Sequence, residues 1–64
     1  RNYTGAVEDF NAYLEIEDPS GEILYKRGVA KVYTGNIIEG CNDFNLSIQL
    51  NYTDAAKAIK KYCE

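Results

Sequence analysis

Cys41 and Cys63 are the only sulfur-bearing side chains in a 64-residue sequence that contains neither methionine nor histidine. Without histidine, the commonest general base and the commonest metal ligand are both missing. Two thiolates fall short of the roughly four ligands that a structural zinc site takes. Pairing with one another or staying as buried thiols are the roles left to them. The adjacent carboxylates Glu8 and Asp9 point around a helix rather than across a cleft, so they make no acid–base pair. The sequence is therefore read as non-enzymatic, with no metal and no cofactor. Asn2-Tyr3-Thr4, Asn45-Leu46-Ser47 and Asn51-Tyr52-Thr53 each match the N-glycosylation triplet. Turn and helix-end roles already explain such asparagines, and the matches are read as coincidence.

Charge narrows the partners. The net charge is −3, whereas nucleic-acid binders carry basic patches that neutralise phosphates, so a nucleic-acid partner is not expected. Residues 1–24 set Arg1 against Glu8, Asp9, Glu15, Glu17, Asp18 and Glu22, while Lys57, Lys60 and Lys61 cluster near the end. The plain reading of these charges is a solvated face on each helix. No apolar run approaches the roughly 18 residues of a membrane span, so membrane insertion is not expected. A chain that begins Arg1-Asn2-Tyr3 without methionine reads as a piece of a longer protein.

The elements that position these groups emerge from self-comparison. Asp9-Phe10-Asn11 recurs as Asp43-Phe44-Asn45, an offset of 34 that also carries Tyr3 to Ile37, Ala6 to Gly40, Leu14 to Ile48 and Ile16 to Leu50. Both copies have helical spacing: Ala6, Phe10 and Leu14 in the first, Ile37, Cys41, Phe44 and Ile48 in the second. Asp18-Pro19-Ser20-Gly21 breaks the chain, because proline disfavours helical geometry in the residue before it. Ser20 is an N-cap candidate for a helix running to about Thr34, and Gly35-Asn36 ends that helix. Thr53 is the expected N-cap of a final helix, with Asp54 at its positive end and Lys60 and Lys61 at its negative end. The fold class is all-α: four short antiparallel helices with breaks near 18–20, 35–36 and 51–53, and no strand.

A period of 34 in helix pairs resembles the tetratricopeptide repeat family. Leu24, Gly28, Ala30, Gly35, Ile37, Gly40, Phe44, Ser47 and Ile48 fall where that repeat takes small or large apolar residues. Arg27-Gly28-Val29-Ala30-Lys31 resembles a variant of its first helix, and Gly28, lacking a side chain, would let the second helix approach closely. The resemblance implies a helix-turn-helix superhelix fragment. Residues 1–18 would be the second helix of a truncated repeat, 19–52 a complete repeat, and 53–64 a C-terminal capping helix. The end of the chain also resembles C-terminal repeats of bacterial proteins from the Bacteroidetes group.

The resemblance further implies a protein-interaction module that holds a protein or peptide on its concave face. Its groove positions here are Glu22, Tyr25, Val29, Val32 and Tyr33, which would form an aromatic, mostly apolar surface with a polar rim. The other reading of these side chains is packing against a neighbouring helix. Tyr25 and Val29 stand where the family's carboxylate clamp takes polar donors, which disfavours chaperone-tail binding. Two other roles stay open: a purely structural cap of a longer scaffold, and a helper domain of an upstream enzyme. An uncovered apolar stripe at Ala6, Phe10 and Leu14 would favour self-association through the N-terminal helix.

The cysteines complete the expectations. Cys41 lies 11 residues before Tyr52 and Cys63 lies 11 after it, so a helical hairpin turning at Tyr52 places both at one level. A bridge between them would imply an oxidising compartment, such as a periplasm or cell envelope. The alternative is two buried thiols in a cytoplasmic protein.

Overall fold

The computed structural model describes residues 2–64, and every regular element among them is helical: α1 (Tyr3–Ile16), α2 (Gly21–Tyr33), α3 (Ile37–Gln49) and α4 (Ala55–Tyr62). Tyr3 and Ile37 open α1 and α3, and Gly21 and Ala55 open α2 and α4, each pair 34 residues apart. The 34-residue offset of the sequence is thus also the offset between helix starts.

Local chemistry sets most boundaries. Asn2 Oδ1 accepts from the Gly5 amide at 2.8 Å and caps α1, and Ser20 Oγ accepts from the Ile23 amide at 3.2 Å and caps α2. Gly35 follows α2 with φ +95°, and Asn51 follows α3 with φ 68°, both left-handed positions that glycine and asparagine tolerate. The start of α4 differs from expectation. Its N-cap residue is Asp54, with no side-chain capping bond, and Thr53 is not the cap. Short backbone bonds build the turn instead, Ala55 N to Tyr52 O at 3.1 Å and Ala56 N to Thr53 O at 3.0 Å. The backbone itself satisfies the amides that a threonine hydroxyl would have taken.

Contacts between helices fix their directions. Tyr3 meets Tyr33 and Asn11 meets Arg27, so α1 and α2 run antiparallel. Gly21 meets Ser47 while Gly28 meets Gly40, so α2 and α3 do too. Cys41, near the start of α3, is bonded to Cys63, just past the end of α4, which makes that pair antiparallel as well.

The tightest crossing is α2 on α3. A Cβ on Gly28 would sit 2.7 Å from the Phe44 ring and 2.9 Å from the Gly40 carbonyl oxygen, and a Cβ on Gly40 would sit 2.7 Å from the Gly28 oxygen. Each glycine therefore admits the other helix's backbone, and Phe44 fills the space beside them with no exposed surface. Phe44, Ala55 and Ala58 form the buried cluster, flanked by Tyr25, Val29, Val32, Ile48, Tyr52, Ile59, Tyr62 and Cys63. Ser47 is fully buried and donates to the Gly21 carbonyl at 2.6 Å. By contrast, α1 contributes no buried residue.

Candidate functional site

One side of α2 and α4 carries a continuous run of aromatic rings. Tyr3 lies 4.8 Å from Tyr33, Tyr33 5.9 Å from Tyr62, Tyr62 6.2 Å from Phe44, Phe44 5.9 Å from Tyr25 and Tyr25 5.4 Å from Tyr52. These separations lie in the range where tilted and edge-on ring pairs attract. The rings come from all four helices or the turns between them, so the helix packing itself builds the strip. Phe44 is the buried anchor, whereas Tyr33 is 51% exposed.

The groove positions expected from sequence divide into two groups. Tyr25, Val29 and Val32 are half-buried and pack on the Phe44–Ala55–Ala58 cluster. Tyr33 and Glu22 face solvent, and Glu22 pairs with Lys26 at 3.3 Å, one helical turn on. Exposed pairs of this kind contribute little to stability. The five residues therefore lie on one helix but do not form one open surface. What the sequence reading lacked was the contribution of Tyr3, Tyr52 and Tyr62 from neighbouring elements. The signal was present in composition, since six tyrosines in 64 residues is a high density, but their convergence depends on tertiary packing.

The tyrosine hydroxyls give the strip polar handles. Tyr33 and Tyr62 share a hydrogen bond at 2.8 Å. That bond holds the Tyr33 phenol above its ordinary pKa and the Tyr62 phenol below it. Lys61 Nζ lies 5.2 Å from the centre of the Tyr62 ring. Partial burial beside the other rings pushes the Tyr52 phenol up, with the Asp54 charge adding to the effect.

A second constellation was not foreseen. Asp43 is only 2% exposed, and its carboxylate accepts from Arg27 Nε at 2.8 Å and Nη2 at 2.9 Å. Lys31 Nζ stands 3.2 Å from the same carboxylate, and Arg27 Nη1 donates to Asn11 Oδ1 at 3.0 Å. Reading all the charges as solvated helix faces is thus incorrect for this group: Asp43 faces α2 because it shares the Gly40–Phe44–Ser47 side of α3. The Arg27 guanidinium is held above its usual pKa by its bond to Asp43, against the opposing cost of burial. Among the described residues no buried side-chain oxygen or nitrogen lacks a partner, so this cluster is a closed structural network with no free acid or base.

Cys41 and Cys63 are joined as a disulfide with Cα atoms 6.0 Å apart, and both are half-buried. Among the described residues, no three His, Cys, Asp or Glu side chains are gathered to hold a metal, and no helix is long and apolar enough to cross a membrane. On the other side of α2, Leu14, Leu24, Arg27, Leu46 and Leu50 border an apolar cleft of about 380 Å³, separate from the tyrosine strip. No protein-family model matches the chain, and neither a curated protein nor a solved structure matches it.

Proposed function

We propose that this chain is a protein-interaction module of the tetratricopeptide-repeat type, which takes a peptide or protein segment along the tyrosine strip of α2 and α4. The observation that carries the reading is the run of rings from Tyr3 to Tyr52, in which five part-exposed or exposed tyrosines gather around the buried Phe44. Tyrosine suits such a surface because it offers area at low entropy cost and keeps a hydroxyl for the partner's backbone. The 34-residue period between helix starts supports the repeat assignment. The disulfide supports a periplasmic or cell-envelope setting.

Half-burial of Tyr25, Val29 and Val32 against the core favours a second reading, in which the element is a structural cap for a longer scaffold. A displayed peptide library separates the two. Selected peptides should shift amide resonances of Val29, Tyr33 and Tyr62, and Tyr33→Ser should weaken them while leaving the helical circular dichroism intact. Selected peptides whose shifts map only to the Leu24–Leu50 cleft, or a library that yields no binder, would count for the cap.

A further inference from the structure

Two faces of α3 are covered, and the 34-residue offset maps each onto α1. Gly40, Asp43, Phe44 and Ser47 face α2, through the Gly28 approach, the Arg27 fork and the Gly21 carbonyl. Cys41 and Ile48, a quarter-turn away, face α4 and its cluster. On α1 the counterparts of the second face are Val7 and Leu14. These do lie towards α2: Leu14 lines a cleft with Leu24 and Arg27, Val7 lines one with Thr34, and Asn11 between them bonds Arg27. So α1 sits on α2 as α3 sits on α4.

The counterparts of the first face are Ala6, Asp9, Phe10 and Tyr13, spaced i, i+3, i+4 and i+7 on one side of α1. Among the described residues nothing here plays the part of α2. Phe44 has no exposed surface, but Phe10 is only half-buried; Asp43 is 2% exposed, but Asp9 is open and Tyr13 is 45% exposed. The acidic, aromatic and small residues of a helix-binding face are all present, without the helix.

We propose that the Ala6–Asp9–Phe10–Tyr13 face of α1 is a docking site for one amphipathic helix with the chemistry of α2, carrying an arginine beside a glycine. The arginine pairs with Asp9 as Arg27 pairs with Asp43, and the glycine passes over Ala6 as Gly28 passes over Gly40. Ala6 holds the incoming helix slightly further out, because it keeps a methyl that Gly40 lacks. Tyr13, in the place of Ser47, covers its first turn. A second copy fits poorly. Helix α1 contains no Lys or Arg, so pairing α1 with α1 sets two acidic helices together. The α4 positions in register with Arg27-Gly28 are Lys61-Tyr62, and Tyr62 puts a ring where close approach needs no side chain.

The test supplies the helix. A second copy of residues 18–34 is placed before the chain with Arg1→Gly, so that the added helix and turn lead into Asn2 as α2 and Gly35 lead into Asn36. The expected result is a higher urea midpoint and slowed amide exchange across the added helix. Asp9→Ala should then lower the midpoint of the extended chain but leave the original chain unchanged. Replacing the added arginine with glutamate should also lower it, and combining that change with Asp9→Lys should recover most of the loss. A parallel extended chain with Ala6→Gly and Tyr13→Ser makes the face match that of α3 and removes any clash as a reason for failure. The proposal is overturned if the added helix stays unprotected in both forms, or if Asp9→Ala has the same effect with and without it. It is equally overturned if the original chain forms a dimer that Phe10→Glu dissociates, since the face would then belong to a second copy.

Discussion

The guanidinium of Arg27 forks onto the carboxylate of Asp43, Nε on Oδ2 at 2.8 Å and Nη2 on Oδ1 at 2.9 Å, and so joins α2 to α3 across 16 residues of sequence. Such a two-bond fork fixes angle as well as distance, which a lysine ammonium cannot do. It fixes the rotation of α2 over α3, and therefore the side from which Tyr25 and Tyr33 project.

Removing one member of this pair leaves the other charge buried without its partner, at a cost of about 3–5 kcal/mol. Asp43→Ala should consequently unfold most of a chain this small, and Arg27→Lys should cost less but still measurably. The double variant Arg27→Met with Asp43→Leu should be more stable than Asp43→Ala alone, because no guanidinium is left unpaired and Lys31 keeps Glu39 at 3.9 Å. Urea unfolding followed by circular dichroism gives all three values. If Asp43→Ala sits within the error of the parent, Asp43 is not the strut described.

At the glycine crossing the prediction concerns volume. Gly28→Ala would bring a methyl against the Phe44 ring and the Gly40 carbonyl oxygen, and overpacking of this sort costs about 1–3 kcal/mol. Alanine in a helix is otherwise worth roughly 1 kcal/mol over glycine, so a net loss of stability would show that the contact outweighs helix propensity. A neutral or stabilising result would mean that α2 can move away from α3 at little cost.

The helices were legible in the sequence because their signals are local. Pro19 and Ser20 mark one boundary, Gly35 another, and the 34-residue offset marks the pairing of elements. The exception is Thr53, a favourable cap by residue type that the chain passes over because the turn after Tyr52 closes through backbone bonds. The site was only partly legible. Tyr25 and Tyr33 could be placed on α2, but their approach to Tyr52 and Tyr62 depends on where α4 docks, which no local pattern encodes. Asp43 left a readable clue, since it shares the helical side of Gly40, Phe44 and Ser47. Its counterpart Asp9 is exposed, so the repeated acid alone does not mark the buried position; the shared helical side does.

The Tyr33–Tyr62 hydrogen bond makes a prediction about alkaline titration. Tyr62, lowered by that bond, should ionise before Tyr33, which is raised by it. For Tyr62 the folded state gains stability above the unfolded phenol pKa. For Tyr33 the contribution is present below that pKa and is lost as pH rises through the raised one. The two effects act in different windows, so net stability should rise between the lowered Tyr62 pKa and the unfolded phenol value and then fall between that value and the raised Tyr33 pKa. Tyr33→Phe should move the Tyr62 transition upward, and Tyr62→Phe should move the Tyr33 transition downward, as read by ring-specific NMR shifts. Unchanged midpoints in both variants would mean that the hydroxyls do not bond in solution.

The Cys41–Cys63 bridge should be a leading single contribution to stability. It links the start of α3 to the end of α4 across a separation of 22 residues, with the Cα atoms 6.0 Å apart, inside the usual range for a disulfide. Closing a loop of that size removes unfolded-state freedom worth about 3 kcal/mol, a large share for a core whose buried apolar members are Leu24, Ala30, Phe44, Ala55 and Ala58. Helix α4 depends on it most, because at 8 residues it is too short to be stable by itself. Reductant should therefore lower the urea midpoint of the parent while leaving Cys41→Ala/Cys63→Ala unaffected. The reduced parent and the double variant should then unfold at similar midpoints, with amide protection lost first across Ala55–Tyr62. Both cysteine residues are half-buried rather than enclosed, so the comparison is made with a small reductant without denaturing the chain first. Alkylation of the unreduced protein under denaturing conditions supplies the independent check by intact mass. Two alkylated cysteines in that sample would overturn the bridge, and with it the anchoring of α4 and the oxidising setting inferred from it.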